Sequence, residues 1–132
     1  MSNIFTKIIE GSIPCFKIAE NDNFLAFLDI NPLAKGHTLV IPKKETDYIF
    51  DIEDKEYQAY FLFAKKVAKA IKKVIECKKI GIAVIGLEVP HAHIHLVPIN
   101  AVYDIDFKKP KLNLSKEEFQ QIALDINKAF VG

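Results

Sequence analysis

The 132-residue sequence has no tryptophan, one methionine, two cysteines and five glycines, and its 18 lysines and arginines nearly cancel 17 aspartates and glutamates. Each shortage excludes something. A formal charge of +1, with four histidines counted neutral, argues against a nucleic-acid coat or an anionic-membrane binder, because those surfaces need a basic excess to meet many phosphates. Cys15 and Cys77 are far apart and form no CxxC pattern, so neither a zinc knuckle nor a thioredoxin-like redox site is indicated. Idle thiols in a reducing compartment are expected. Nowhere do 18 apolar residues run together, and the first ten residues mix Asn3, Thr6, Lys7 and Glu10 with apolar ones, which gives no signal-peptide core. These absences suggest a soluble cytoplasmic protein that binds neither membrane nor nucleic acid.

Half of the residues are hydrophobic, 11% are aromatic and 27% are charged, the composition of a globular chain. At this length a core forms without disulfide staples, and with no repeat, low-complexity tract or linker a single domain over residues 1–132 is expected. Ile4, Phe5, Ile8 and Ile9 recur at helical spacing between Asn3, a capping residue, and Gly11, so the chain opens on a short helix. Phe16–Glu20 and Phe24–Leu28 flank the turn formers Asn21-Asp22-Asn23 and read as a hairpin. A loop with Pro32 and Gly36 leads to a third strand, His37–Ile41, closed by Pro42. From Asp54 to Cys77 apolar residues keep the i, i+3, i+4, i+7 rule while lysines take the other face, which predicts one long amphipathic helix with a solvated side. Strands over Ile80–Leu87 and Ala92–Ile99 follow, then a final helix capped by Ser115 and Glu118. This order predicts an α+β domain built on one mainly antiparallel, five-stranded sheet.

Three of the four histidines stand in one short stretch, Val89-Pro90-His91-Ala92-His93-Ile94-His95-Leu96-Val97-Pro98. Alternation along an extended chain puts His91, His93 and His95 on one face and Ala92, Ile94 and Leu96 on the other. The apolar face is expected inward, with the imidazoles lining a surface. Two chemistries suit such a row. Metal binding is one, since imidazole is a common ligand, but residues i and i+4 of a strand lie about 13 Å apart whereas zinc ligands sit about 2.1 Å from the ion. Only a pair joined by His37 could chelate. The other is nucleophilic catalysis at phosphorus, in which one imidazole nitrogen attacks and its neighbours, partly protonated near pH 7, donate to phosphate oxygens and protonate the departing group. The middle residue, His93, has helpers on both sides and is the expected nucleophile.

His91-Ala92-His93-Ile94-His95-Leu96-Val97 resembles the His-φ-His-φ-His-φ-φ signature of the histidine-triad (HIT) proteins, where φ is apolar. The likeness extends from Ile4-Phe5 and Ile8-Ile9 through Phe27–Pro32 and Gly36–Lys43 to the triad. It implies the HIT-like fold and a homodimeric nucleotide hydrolase or transferase, with the long helix and a strand at the interface. Such enzymes act on the α-phosphate of nucleoside phosphoramidates or dinucleoside polyphosphates through a nucleotidyl-histidine intermediate. It further implies that His93 attacks, held by the backbone carbonyl of His91, that His95 binds phosphate oxygens, and that His37 and His91 support the row. Asp29 and Ile30 correspond to the ribose site, and Ile4, Phe5, Ile8 and Phe27 to the pocket of a purine base. Gly86 and Glu88 belong to the stretch that meets the phosphate. Relatives often carry a hydroxyl residue where Glu88 stands, and a carboxylate there repels phosphate unless it is protonated, turned away or paired with a leaving group of opposite charge. That substitution keeps a second reading open, a nucleotide-binding regulator with little turnover. No metal cofactor is expected beyond Mg2+ accompanying a polyphosphate substrate. The CxxC that carries zinc in some bacterial relatives is Asn3-Ile4-Phe5-Thr6 here, which has no thiolates.

Overall fold

In a computed structural model, which describes residues 3–132, the chain folds as α1 (Ile4–Glu10), β1 (Lys17–Glu20), β2 (Phe24–Leu28), β3 (Thr38–Pro42), α2 (Asp54–Val74), β4 (Lys79–Ala83), β5 (Ile94–Ile99) and α3 (Lys116–Ala129). Local chemistry accounts for the element ends. The side chain of Asn3 accepts from the Thr6 N–H to start α1, and Gly11, at φ 85°, stops it by donating its N–H to Ile8. Asn21 closes the first hairpin by accepting from the N–H groups of Asn23 and Phe24. Ser115 and Glu118 form the reciprocal capping box that opens α3.

The five strands form one sheet in the order β1-β2-β3-β5-β4, and every neighbouring pair is antiparallel. The α+β architecture expected from the pattern is present. Helices α2 and α3 cover one face, where Phe24, Ala26, Val40, Ile94 and Leu96 pack with Tyr60, Val67, Ile71, Phe119 and Ile126. The opposite face carries a smaller cluster of Leu25, Phe27, Leu39 and Ile41 under Phe5 of α1. Because both faces are covered, β2 and β3 are buried at every position, which is why they read as continuous apolar runs rather than as alternation.

Two strand boundaries differ from expectation by more than one residue. β4 ends at Ala83 instead of Leu87, and β5 begins at Ile94 instead of Ala92. His91 and His93 therefore lie on an irregular segment, bent at His91, that precedes the ladder. That segment has its own partners, with the His91 N–H bonded to the Val89 carbonyl and the Ala92 N–H to the Thr46 carbonyl. Helix α2 likewise stops at Val74 rather than Cys77.

Gly36 joins the Asp29–His37 loop to β3 at φ 90°, and a Cβ built there lies 2.8 Å from Ile75 Cγ1. Positive φ and close approach both demand glycine. Gly36→Ala is expected to cost about 1–2 kcal/mol of stability, measurable as a lower urea midpoint at unchanged slope.

Candidate active site

Strand register places the site before any loop is considered. Phe27 pairs with Leu39, and Leu39 with His95, so these three side chains cross the sheet in one row on the face that α1 covers. The alternation inferred from sequence then adds His93 and His91 beyond the end of β5. His37, at the entry to β3, comes beside His95, with ring centroids 5.3 Å apart. Phe5 presses its edge against His93 at 5.0 Å and against His91 at 5.8 Å.

This covering overturns one expectation. The imidazoles do not line an open surface, because His91 and His37 are 0% and 1% exposed and His93 and His95 each 8%. Ala92, Ile94 and Leu96 do point into the main core as expected.

Hydrogen bonds define each ring's tautomer. His93 Nδ1 lies 2.9 Å from the His91 carbonyl, an acceptor only, so Nδ1 carries the proton and Nε2 keeps its lone pair. The Leu33 N–H donates to His37 Nδ1 at 3.0 Å, so the His37 proton sits on Nε2. That Nε2–H donates to His95 Nδ1, also at 3.0 Å, which leaves His95 with its own proton on Nε2. The row thus presents one nucleophilic nitrogen and, from its neighbour, one N–H donor.

Three of the rings, His37, His91 and His95, are also pushed toward the neutral form. Burial depresses His37 to about 4, helped by the charge of Lys111. Burial depresses His95 to about 3, with His37 and His93 adding to the effect, and it lowers His91 as well. The expectation of partly protonated helpers near pH 7 is therefore corrected. A proton on His95 Nδ1 would also collide with the His37 N–H pointing at it. Asp29 Oδ2 lies 3.6 Å from His37 Nε2, close enough for an ion pair if the ring were charged. A neutral ring makes it a carboxylate beside a dipole, and burial pushes the Asp29 carboxyl up while the N–H of Asn31 holds it down.

Donor atoms of Asp29, His37 and His95 lie within 4.8 Å of one another, the one metal-like grouping among the described residues. A cation there needs a lone pair on His37 Nε2, where the Leu33 N–H has placed the proton. The donor set suits a hydrogen-bond relay better than a metal ion.

The row borders a cavity of about 350 Å³. Of the residues singled out from sequence, Ile4, Phe5, Ile8, Phe27, Asp29, Ile30, Glu88, His93 and His95 line it. His37 and His91 stand behind the wall as partners of His95 and of the peptide that holds His93. Gly86 is elsewhere, in a surface depression beside Tyr48 and Phe50, because the chain leaves the sheet at Ala83 and turns at Gly86 with φ 71°. Two lining residues escaped the sequence reading. Phe107 stands edge-on to His95 at 4.7 Å, and the Lys111 ammonium is held by the carbonyls of Phe107 and Lys109 at 2.6 and 3.0 Å. Both come from an irregular stretch without periodicity, which folds over the site because the Leu112 N–H bonds the Pro32 carbonyl at 2.8 Å.

A histidine depressed in the folded state binds its proton more readily when unfolded. Its stabilising contribution is complete above the ordinary 6.5 and is lost as pH falls through 6.5 toward about 4 for His37 and about 3 for His95. Asp29, raised by burial, acts in the opposite sense as pH rises above 3.8. Ring resonances in 1H–15N spectra should show His37 and His95 unprotonated from pH 8 down to pH ~5, with thermal stability declining over the lower half of that range. An inflection of either ring between pH 6 and 7 would contradict the assignment.

Comparison with known proteins agrees with this geometry. The HIT domain family model matches residues 10–102. An uncharacterized HIT-like protein of Borreliella burgdorferi is 38% identical over 132 residues, covering 94% of this chain and 95% of its own. The adenosine 5'-monophosphoramidase of Schizosaccharomyces pombe is 36% identical over 129 residues, covering 96% and 97%. The crystal structure of a HIT-like protein from Bartonella henselae superposes with a TM-score of 0.84 at 30% identity, over 98% of this chain and 97% of that one. With the motif, the fold and near full-length relatives in agreement, the chain belongs to the histidine-triad, or HIT, family.

Proposed function

We propose that the protein hydrolyses or transfers nucleotidyl groups at the α-phosphate of nucleoside phosphoramidates or dinucleoside polyphosphates, through a nucleotidyl-His93 intermediate. The observation that carries this reading is the His93 Nδ1–H bond to the His91 carbonyl at 2.9 Å, which fixes the lone pair on Nε2 beside the cavity. Nε2 attacks phosphorus, the bond from phosphorus to the leaving nitrogen or oxygen breaks, and the leaving group takes a proton from solvent. Water then attacks the same phosphorus and breaks its bond to Nε2. The nucleoside monophosphate departs and the surplus proton returns to solvent. His95 contributes a neutral Nε2–H to a phosphate oxygen rather than a cationic proton. The Schizosaccharomyces pombe relative is a phosphoramidase by name, which supports the phosphoramidate class in particular.

The cavity supports a nucleotide of this kind. Ile4, Phe5, Ile8 and Phe27 offer an apolar slot for a purine base, and Asp29 and Ile30 offer a carboxylate and a wall for the ribose. No step asks for a metal bound to the protein. Mg2+ enters only as a companion of a polyphosphate chain. A homodimer fits the edge strand β4, whose neighbourhood leaves Ile82, Ile85 and Leu87 56%, 50% and 89% exposed. Among the described residues no helix is long and apolar enough to cross a membrane.

With chelator present, the protein should release AMP from adenosine 5'-phosphoramidate or diadenosine polyphosphates, and His93→Ala should lower kcat by at least about 10³-fold. Activity surviving that substitution overturns the nucleophile. Tight AMP binding without any turnover favours the regulatory reading that Glu88 motivates. Burial lowers His37, His91 and His95, and Lys111 is the one lysine or arginine among the described residues lining the cavity, which also holds the carboxylates of Asp29 and Glu88. Lys111→Gln should raise KM several-fold with a smaller change in kcat, a loss of about 1 kcal/mol, read from steady-state kinetics at low salt.

A further inference from the structure

Asn3 connects the start of α1 to the histidine row through a single amide. Its Oδ1 accepts from the Thr6 N–H at 2.9 Å, and because a backbone N–H can only donate, this bond settles which end of the amide is oxygen. The other end, Nδ2, lies 3.3 Å from His91 Nδ1. His91 Nε2 lies 2.7 Å from the Pro42 carbonyl and so carries the ring proton. His91 Nδ1 is then a buried acceptor, with the amide of Asn3 as its donor. The carbonyl of the same His91 accepts from His93 Nδ1–H at 2.9 Å.

We infer that Asn3 is a positioning residue for His93: it holds the ring of His91 from the side opposite Pro42, and with it the peptide whose carbonyl orients the nucleophile. The inference rests on the proposed role of His93.

Two further contacts make the device stiff. Phe5, two residues into the helix that Asn3 caps, stands edge-on to both His91 and His93, so a shift of α1 moves the wall against which His93 rests. Thr6 Oγ1 donates to Glu45 Oε1 at 3.2 Å, which ties the same turn of α1 to the segment after β3. Without the Asn3 amide, His91 Nδ1 has no donor in a fully buried site. Leaving such an acceptor unpaired favours a rotated ring or a protonated one, and either disturbs the peptide that His93 needs.

Asn3→Ser and Asn3→Thr separate positioning from capping, since each keeps a hydroxyl cap comparable to asparagine but is too short to reach His91. Both should lower kcat about 10- to 100-fold, with KM within about twofold and a fall of only a few degrees in the thermal midpoint, the cost of one unpaired buried acceptor. In 15N spectra, the single Nδ1–H tautomer of His93 should give way to a mixture. Wild-type kcat in both variants overturns the inference. So does a kcat loss that follows a lowered thermal midpoint while His93 keeps its tautomer, the pattern of a purely structural cap. If the unsubstituted protein turns over no nucleotide, the proposed function fails, and the His93 tautomer in the two variants still decides whether Asn3 positions the ring.

Discussion

One hydrogen bond distinguishes His93 from the three other histidines, the bond from its Nδ1 to the carbonyl of His91. An imidazole offers a nucleophilic lone pair only at the nitrogen that does not carry the proton, and in a free ring the two tautomers exchange. A carbonyl acceptor ends the exchange. The rest of the site is organised around keeping that carbonyl in place: His91 is buried, its ring is held by Pro42 on one side and Asn3 on the other, and the apolar contact from Phe5 presses on both rings. The parallel chain from Leu33 through His37 to His95 does the same for the donor N–H. Each chain begins at a backbone group, which cannot change its protonation, so every proton position follows from the fold.

The sheet supplies the second requirement of the proposed reaction, a fixed distance between the proposed base slot and the proposed nucleophile. Phe27, Leu39 and His95 are cross-strand partners, and strands are spaced about 4.8 Å apart. The apolar slot and the histidine row are therefore set by ladder register, which cannot slip by one residue without turning every side chain to the other face. Both faces of β2 and β3 are buried, so such a slip would be penalised on both. A site anchored in this way tolerates variation in the loops that cover it. That is consistent with the Bartonella henselae structure, which keeps the fold over 98% of this chain at 30% identity.

Much of this was legible in the sequence because it depends on short-range rules. Alternation anticipated that the three imidazoles would gather on the side α1 covers, although only His95 sits in the ladder and the backbone bends at His91. The caps at Asn3, Gly11 and Ser115 and the Asn21 turn followed from residue chemistry. What escaped depends on contacts between remote segments. Neutral imidazoles require knowing that α1 closes over their face. Phe107 and Lys111 require knowing that an irregular stretch is pinned to Pro32, which no periodicity announces. Gly86 was drawn toward the phosphate by its place in the chain before the triad, but the sheet ends three residues earlier and carries it away. Asn3 was legible as a cap, while its second bond to His91 spans 88 positions.

The corrected electrostatics alter how such a site handles an anion. Charged imidazoles beside the proposed nucleophile would attract phosphate strongly, but they would draw on the same electron pair that the middle ring would give to phosphorus in the proposed reaction. Neutral rings avoid that conflict. They supply oriented N–H dipoles, which stabilise charge developing on phosphate oxygens without a change of protonation during the reaction. Attraction of the substrate then has to come from a charge set apart from the row. Lys111 meets that condition, since its ammonium is fixed by two carbonyls at the cavity wall, and its charge lowers the neighbouring His37 while opposing the rise that burial imposes on Asp29. In the proposed reaction the same field would draw in an anion while it helps keep a proton off His37 behind His95, so one cation placed to one side would serve both binding and nucleophilicity.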